Sequence, residues 1–234
     1  EAADAVNSMM RDKKFGDSGT TVVIEQFLSG PEVSVLAFTD GKTVKPMVSS
    51  MDHKRAGNGD TGLNTGGMGT IAPNPFYTDE IAAECMEKIF LPTINAMCRE
   101  GRAFKGCLYF GLMLTEDGPR VIEYNCRFGD PETQVVLPLL ESDLLEIMQA
   151  CRNGTLDKTE VRFKNGAAAC VVMASDGYPE KYEKGIEMTG LNENGQIEGA
   201  TVYHAGTKKE NGKFYTNGGR VLGVTATDTT LEGA

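Results

Sequence analysis

The sequence predicts an α+β fold in two parts: a mixed helix and strand portion over residues 1–160, then a mostly-β portion over residues 161–234. Three observations carry this. The helical periodicities of any length all fall before residue 160. In the same portion two turn signals, Asp40-Gly41 and Glu116-Asp117-Gly118-Pro119, separate runs of strand formers. Beyond residue 160, short apolar runs at 167–173, 201–205 and 221–226 alternate with glycine-rich turns. No low-complexity linker separates the parts, so they are expected to pack tightly.

Residues 1–15 read as an amphipathic helix with Ala2, Val6, Met9 and Met10 on one side. Residues 20–28, rich in Val22, Val23, Ile24 and Phe27, read as a strand. Residues 33–39 form a second strand, and 43–49 return from the Asp40-Gly41 turn. Between Ala56 and Gly69 six positions are glycine and no periodicity survives, which predicts a long loop. Residues 79–99 predict a helix capped at Thr78 or Asp79 and kinked or interrupted by Pro92. Residues 106–115 and 121–125 form a second hairpin. Asp130 and Pro131 suit the cap and first turn of a helix, whose free N–H groups would offer an anion site. Residues 142–151 predict a helix with Leu144, Leu145, Met148 and Cys151 on one face, closed by Gly154.

With 234 residues the chain can bury a full core without staples. Its net charge of −10 is a poor match for a phosphate-backbone binder, so no nucleic-acid partner is expected. A small anionic substrate remains compatible through local basic groups. No apolar run approaches the ~20 residues of a membrane span. The six cysteines form no CxxC pair and only His53 and His204 could join them, which disfavours zinc. Most lie among apolar neighbours and read as core residues of a reducing, cytoplasmic compartment.

The chemistry concentrates at Val121-Ile122-Glu123-Tyr124-Asn125. On a strand Glu123 and Asn125 share a face, with Val121 beside them. A carboxylate and a carboxamide offer hard oxygens suited to Mg²⁺, which completes its shell with phosphate and water. Arg127 follows on the same parity and could neutralise charge during phosphoryl transfer. A solvated edge strand explains the same triplet. The glycine-rich stretch matches neither a P-loop nor a GxGxxG turn. It suits a mobile cover that lays backbone on a ligand, and equally a solvated loop with a charged rim. Lys54 and Arg55 supply two cations before it. Glu25 ends an apolar strand whose backbone could read an adenine edge, with Glu32 near ribose hydroxyls; an ordinary strand end fits as well.

Taken together, Val22 to Gly30, Asp52-His53-Lys54-Arg55, Asn64-Thr65-Gly66-Gly67-Met68-Gly69, Ile122 to Glu132 and His204-Ala205-Gly206-Thr207 resemble the phosphoribosylamine–glycine ligase family of ATP-grasp enzymes in purine biosynthesis. The resemblance runs from the first strand to near the end of the chain, and the stretch from Arg127 to Gln134 is its most specific part. It implies a partial ATP-grasp domain over 1–160 and a truncated C-terminal, rudiment-hybrid-like β domain over 161–234. The implied reaction joins glycine to 5-phosphoribosylamine through a glycyl phosphate, giving glycinamide ribonucleotide, ADP and phosphate. ATP and Mg²⁺ are the implied cofactors, with Mn²⁺ as the alternative metal. By the same resemblance Glu123 and Asn125 hold the metal, and Glu25, Leu28 and Glu32 bind the nucleotide. Lys54, Arg55 and Arg127 act on phosphates or the acyl phosphate. Asp130, Glu132, Gly66 and Gly67 bind substrate.

Two departures follow. The strand before Glu-x-Asn, Leu108 to Met113, carries no carboxylate, unlike many ATP-grasp enzymes, which casts doubt on a second metal site. The chain also covers roughly the second half of such an enzyme and, by itself, is expected to fold without catalysing. A carboxylase of the biotin carboxylase kind would share the fold, but its sequence after the Glu-x-Asn strand differs. A regulatory nucleotide-binding module would not need Glu123, Asn125 and Arg127 together.

Overall fold

The structure, a computed structural model, describes residues 2–234. The chain opens with a short helix α1 (Ala2–Val6) and a π turn, then passes through β1 (Glu32–Thr39), β2 (Val44–Pro46), β3 (Met51–Asp52), β4 (Arg55–Gly57), β5 (Thr61–Asn64) and β6 (Gly69–Ala72). Helices α2 (Asp79–Cys85) and α3 (Leu91–Arg99) follow, then β7 (Gly106–Thr115), β8 (Gly118–Asn125), α4 (Thr133–Val136) and α5 (Leu144–Asn153). The remainder is β9 (Ala167–Ala174), β10 (Glu187–Met188), β11 (Thr201–His204), β12 (Thr207–Glu210), β13 (Lys213–Thr216) and β14 (Arg220–Asp228).

An antiparallel sheet in the order β2-β1-β7-β8 forms the centre. Strand β1 is buried on both faces from Val33 onward, so its alternation divides the core in two. Val33, Val35 and Ala37 join Phe110 and Leu112 of β7 against Ile89, Phe90 and Ile94 of the α2–α3 layer. Leu36, Phe38 and Tyr109 face the other way, onto Val135, Val136, Ile147 and Cys151. Each large apolar side chain buried in this way contributes about 1.5–3 kcal/mol.

The second large sheet has the order β11-β14-β9-β6-β3. Strand β6 pairs antiparallel with β9, Gly69 opposite Val171 and Ala72 opposite Ala168. Strands from both sides of residue 160 therefore share one sheet. A smaller sheet, β10-β13-β12, packs beyond it. No helix of the described residues is long and apolar enough to cross a membrane.

Several expectations change. The first helix ends at Arg11, and Glu1 lies outside the described residues. Residues 22–29 form no strand: Val23, Ile24 and Phe27 are 82, 85 and 92% exposed, and no neighbouring strand among the described residues completes their hydrogen bonds. The glycine-rich stretch is not a bare loop, because β4 and β5 pair as a small exposed hairpin, Arg55 opposite Asn64. Residues 79–99 are helical throughout, with a π turn at 86–90 directly before Pro92, whose missing N–H cannot extend the α pattern. Asp130 caps no helix. The turn at α4 begins at Thr133, and the first amides near it bond to the carbonyls of Gly129, Pro131 and Glu132, which leaves no anion site there. On α5 the buried stripe is Ile147, Ala150 and Cys151, while Leu145 and Met148 face solvent. Asp143 caps that helix, and Gly154 closes it at φ +74°.

Candidate functional site

The end of β8, the stretch after β3 and the glycines before β6 converge on one cleft. Its inner lobe, about 160 Å³, is lined by Asp52, Lys54, Thr65, Gly66, Tyr109, Glu123, Asn125, Arg127, Asp130 and Glu132. An outer lobe of about 420 Å³ shares Asp52 and Lys54 and adds Glu32, His53, Arg55, Asp60 and Asn64.

Strand β8 places the first pair. Asn125 lies opposite Tyr109 and Glu123 opposite Gly111, but Leu112 lies opposite Val121, so Ile122 is an extra residue in a bulge. Glu123 and Asn125 share the cleft face, and the Asn125 amide donates to Glu123 Oε1 at 3.1 Å. Gly111 makes room: a Cβ there would stand 3.0 Å from Glu123 Cγ. Val121 does not lie beside the pair as simple alternation predicts. The bulge sends it to the helical side, where Tyr124 also packs, its ring centroid 5.6 Å from Phe110.

Two carboxylates lie deeper. Glu132 is 4% exposed, and its Oε1 accepts from Tyr109 (3.0 Å) and Ser34 (3.2 Å). Asp52 has a buried Oδ1 with no hydrogen-bond partner. Burial first, and the charge of Glu132 second, push its carboxyl up to about 7, against the pull of Lys54, the His53 amide and Arg220. Lys54 is half-buried. Burial works against its charge, but Glu32 at 2.8 Å, with Asp52 and Glu123, holds its ammonium above the ordinary range.

The glycines cover Asp52. Gly67 sits at φ +109°, and a Cβ there would come 2.6 Å from Asp52 Oδ1 and 2.5 Å from Pro131 Cδ, so only glycine fits this approach. Its amide donates to Thr65 Oγ1, and Thr65 in turn donates to the Lys54 carbonyl.

Of the residues expected from the sequence, Lys54, Gly66, Glu123, Asn125, Arg127, Asp130 and Glu132 meet in the inner lobe, and Glu32 and Arg55 in the outer. Gly67 reaches the cleft through Asp52. Glu25 and Leu28 line neither lobe, since they sit in the unpaired segment before β1. Arg55 is engaged by the Gly62 carbonyl at 2.8 Å. Both carboxylate oxygens of Asp130 already hold partners, Gln134 at 2.7 Å and Arg220 at 3.0 Å. Sequence reasoning passed over Asp52, Tyr109, Ser34 and Arg220. Asp52 could have been found as the one acidic member of Asp52-His53-Lys54-Arg55; the others carry no local signal.

Comparison with known proteins gives a consistent result. Residues 1–133 match the family profile "Phosphoribosylglycinamide synthetase, ATP-grasp (A) domain", and residues 168–234 match "Phosphoribosylglycinamide synthetase, C domain". A phosphoribosylamine–glycine ligase of Listeria monocytogenes is 54% identical over 224 residues, 95% of this chain and 52% of the relative. The trifunctional purine biosynthetic protein adenosine-3 of Gallus gallus is 52% identical over 97% of this chain and 22% of its own length. The crystal structure of phosphoribosylamine–glycine ligase from Thermotoga maritima superposes with a TM-score of 0.78 at 36% identity, over 89% of this chain and 51% of that one. A biotin carboxylase domain, at 15% identity and TM-score 0.65, shares the fold. The chain spans about half the length of the bacterial ligases it matches.

Proposed function

Because the chain belongs to the phosphoribosylglycinamide synthetase family of ATP-grasp proteins, we propose that its cleft is part of the site that joins glycine to 5-phosphoribosylamine. In this reading the glycine carboxylate takes the terminal phosphoryl group of ATP, releasing ADP. The amine of phosphoribosylamine then attacks the acyl carbon, the C–O bond to phosphate breaks, and the amine loses a proton. The products are glycinamide ribonucleotide, ADP and phosphate. The observation that carries this is the placement of Glu123, Asn125, Arg127 and Lys54 in one lobe beside Asp52 and Glu132.

The donor set can be tested against Mg²⁺. Glu123 and Asn125 share the cleft face with the Asn125 amide nitrogen toward Glu123 Oε1, so a turn of that amide about its last torsion brings its oxygen beside the carboxylate, and no group of three or more His, Cys, Asp or Glu among the described residues could hold a metal. Two protein oxygens suit an ion that keeps waters and phosphate oxygens in its shell, so the residues fit Mg²⁺, with Mn²⁺ as the alternative. When bound, the ion neutralises charge on the phosphates. Arg127 and Lys54 oppose the negative charge of the transferring phosphoryl group and of the acyl phosphate. Arg55 extends this positive field into the outer lobe, where Glu32 faces the nucleotide sugar. Glu25 and Leu28 supply the adenine side once the segment before β1 is ordered against it. Gly66 and Gly67 exclude water over the reacting carboxylate, and Asp130 and Glu132 attract the amine. In this reading residues 1–160 supply the C-terminal portion of an ATP-grasp domain and residues 161–234 a C-terminal mostly-β domain.

The test measures ADP and phosphate release by the full-length polypeptide with glycine and freshly generated phosphoribosylamine. Release that requires both substrates is the expected result. ATP binding without such release would identify a nucleotide-binding module instead.

A further inference from the structure

We propose that Arg220 is a positioning residue of the cleft, a clamp from the C-terminal strand β14 that fixes the Gly66–Gly67 cover against the Asp130 segment. The inference rests on the reading above for what the cleft does, while the clamp itself stands on geometry. One guanidinium donates to the Gly66 carbonyl at 2.7 Å and the Asp130 carbonyl at 2.9 Å, and pairs with the Asp130 carboxylate at 3.0 Å. These partners come from two segments far apart in sequence, Nη1 serving both carbonyls and Nη2 the carboxylate, in a fixed planar geometry that a flexible ammonium does not set. The Arg220 side chain is only 22% exposed although it ends at a cleft.

The strand is shaped for this task. Arg220 lies opposite Ala174 and Leu222 opposite Met173, so Val221 is an extra residue in a bulge that re-aims Arg220 out of the sheet pattern. The Gly206 amide holds the Arg220 carbonyl at 2.9 Å and so fixes the stem. On the other side the Gly66 amide donates to Tyr178 Oη at 3.1 Å, a second grip from the same portion of the chain. Gly66 leaves no slack: a Cβ there would stand 3.0 Å from the Arg220 Cζ. Gly67, next in the chain, covers Asp52, so any slip of the clamp moves the cover over the buried carboxylates.

The full-length polypeptide is compared in its wild-type, Arg220→Lys and Gly66→Ala forms. Arg220→Lys keeps charge and stem but removes the fork; Gly66→Ala pushes the guanidinium away. Amide exchange across residues 65–68 should speed up about tenfold or more in both, with residues 222–226 unchanged. The KM for phosphoribosylamine should rise about tenfold while the KM for ATP stays within about twofold, since small misplacements near reacting groups are costly. Exchange at 65–68 within about twofold of wild type overturns the clamp. Loss of protection that also reaches 222–226 overturns it too, because Arg220 would then hold the sheet rather than the cover. Faster exchange with unchanged KM values removes the positioning role. Wild-type protein without glycine-dependent turnover sinks the ligase reading and leaves the exchange result to decide the clamp.

Discussion

Asp52 presents a buried carboxylate oxygen without a donor, facing Glu132, Lys54 and Arg220. Its carboxyl titrates near 7 in the folded chain, against an ordinary value of 3.8. The folded state therefore favours the protonated form. The stabilisation this gives is complete below about pH 4 and is lost as pH rises through about 7. Asp52→Asn should flatten the fall in urea-derived stability between pH 4 and 8 by roughly 1–2 kcal/mol, allowing for partial solvent access. An unchanged slope would show that Asp52 is already satisfied in solution. At Glu123 the expectation is chemical. Glu123→Gln in the full-length protein should keep the melting temperature and lower turnover about 100-fold or more. Near-normal turnover at limiting Mg²⁺ would remove Glu123 from the proposed Mg²⁺ site. Strand alternation puts Glu123 and Asn125 side by side in the sequence, and the resemblance carried by Ile122 to Glu132 singles them out with Arg127. Arg220 carries no local signal, since what gives it meaning is its approach to Asp130, 90 residues away; Asp52 is legible only as the acidic member of its tetrapeptide, and its raised carboxyl depends on the distant Glu132.

At the scale of elements, the β4–β5 hairpin is fully exposed, carries Gly57, Gly59 and Gly62 in and around its turn and pairs through only two residue pairs. Nothing apolar anchors it, so its amides should exchange faster than those of β1, which is buried on both faces. ATP with Mg²⁺ should slow them if the hairpin closes over the nucleotide. Strong protection without ligand would mark a packed element instead. The glycine count revealed the freedom of this stretch but hid its pairing, because a hairpin this short has no periodicity to detect. Residues 20–28 show the opposite case. Their β propensity is real, yet propensity becomes a strand only against a partner, and the exposed Val23, Ile24 and Phe27 have none among the described residues.

For the whole molecule, the sheet β11-β14-β9-β6-β3 joins the portions that composition separates at residue 160. The turn-rich texture of the second portion was visible in the sequence. The pairing of β6 with β9 was not, because register between distant strands leaves no local trace. One sheet with a shared core predicts one unfolding transition. Calorimetry of residues 1–234 should show a single peak, and residues 1–160 alone should lose exchange protection at 69–72. Two well-separated peaks would show that the shared sheet is incidental. The pairing also sets a schedule. Strand β6 leaves the ribosome about a hundred residues before β9, which at roughly 5–20 residues per second is a wait of about 5–20 seconds. Throughout that interval the nascent chain carries Asp52 and the cover glycines beside an unfinished sheet edge, so the cleft can be assembled only after β9 has emerged.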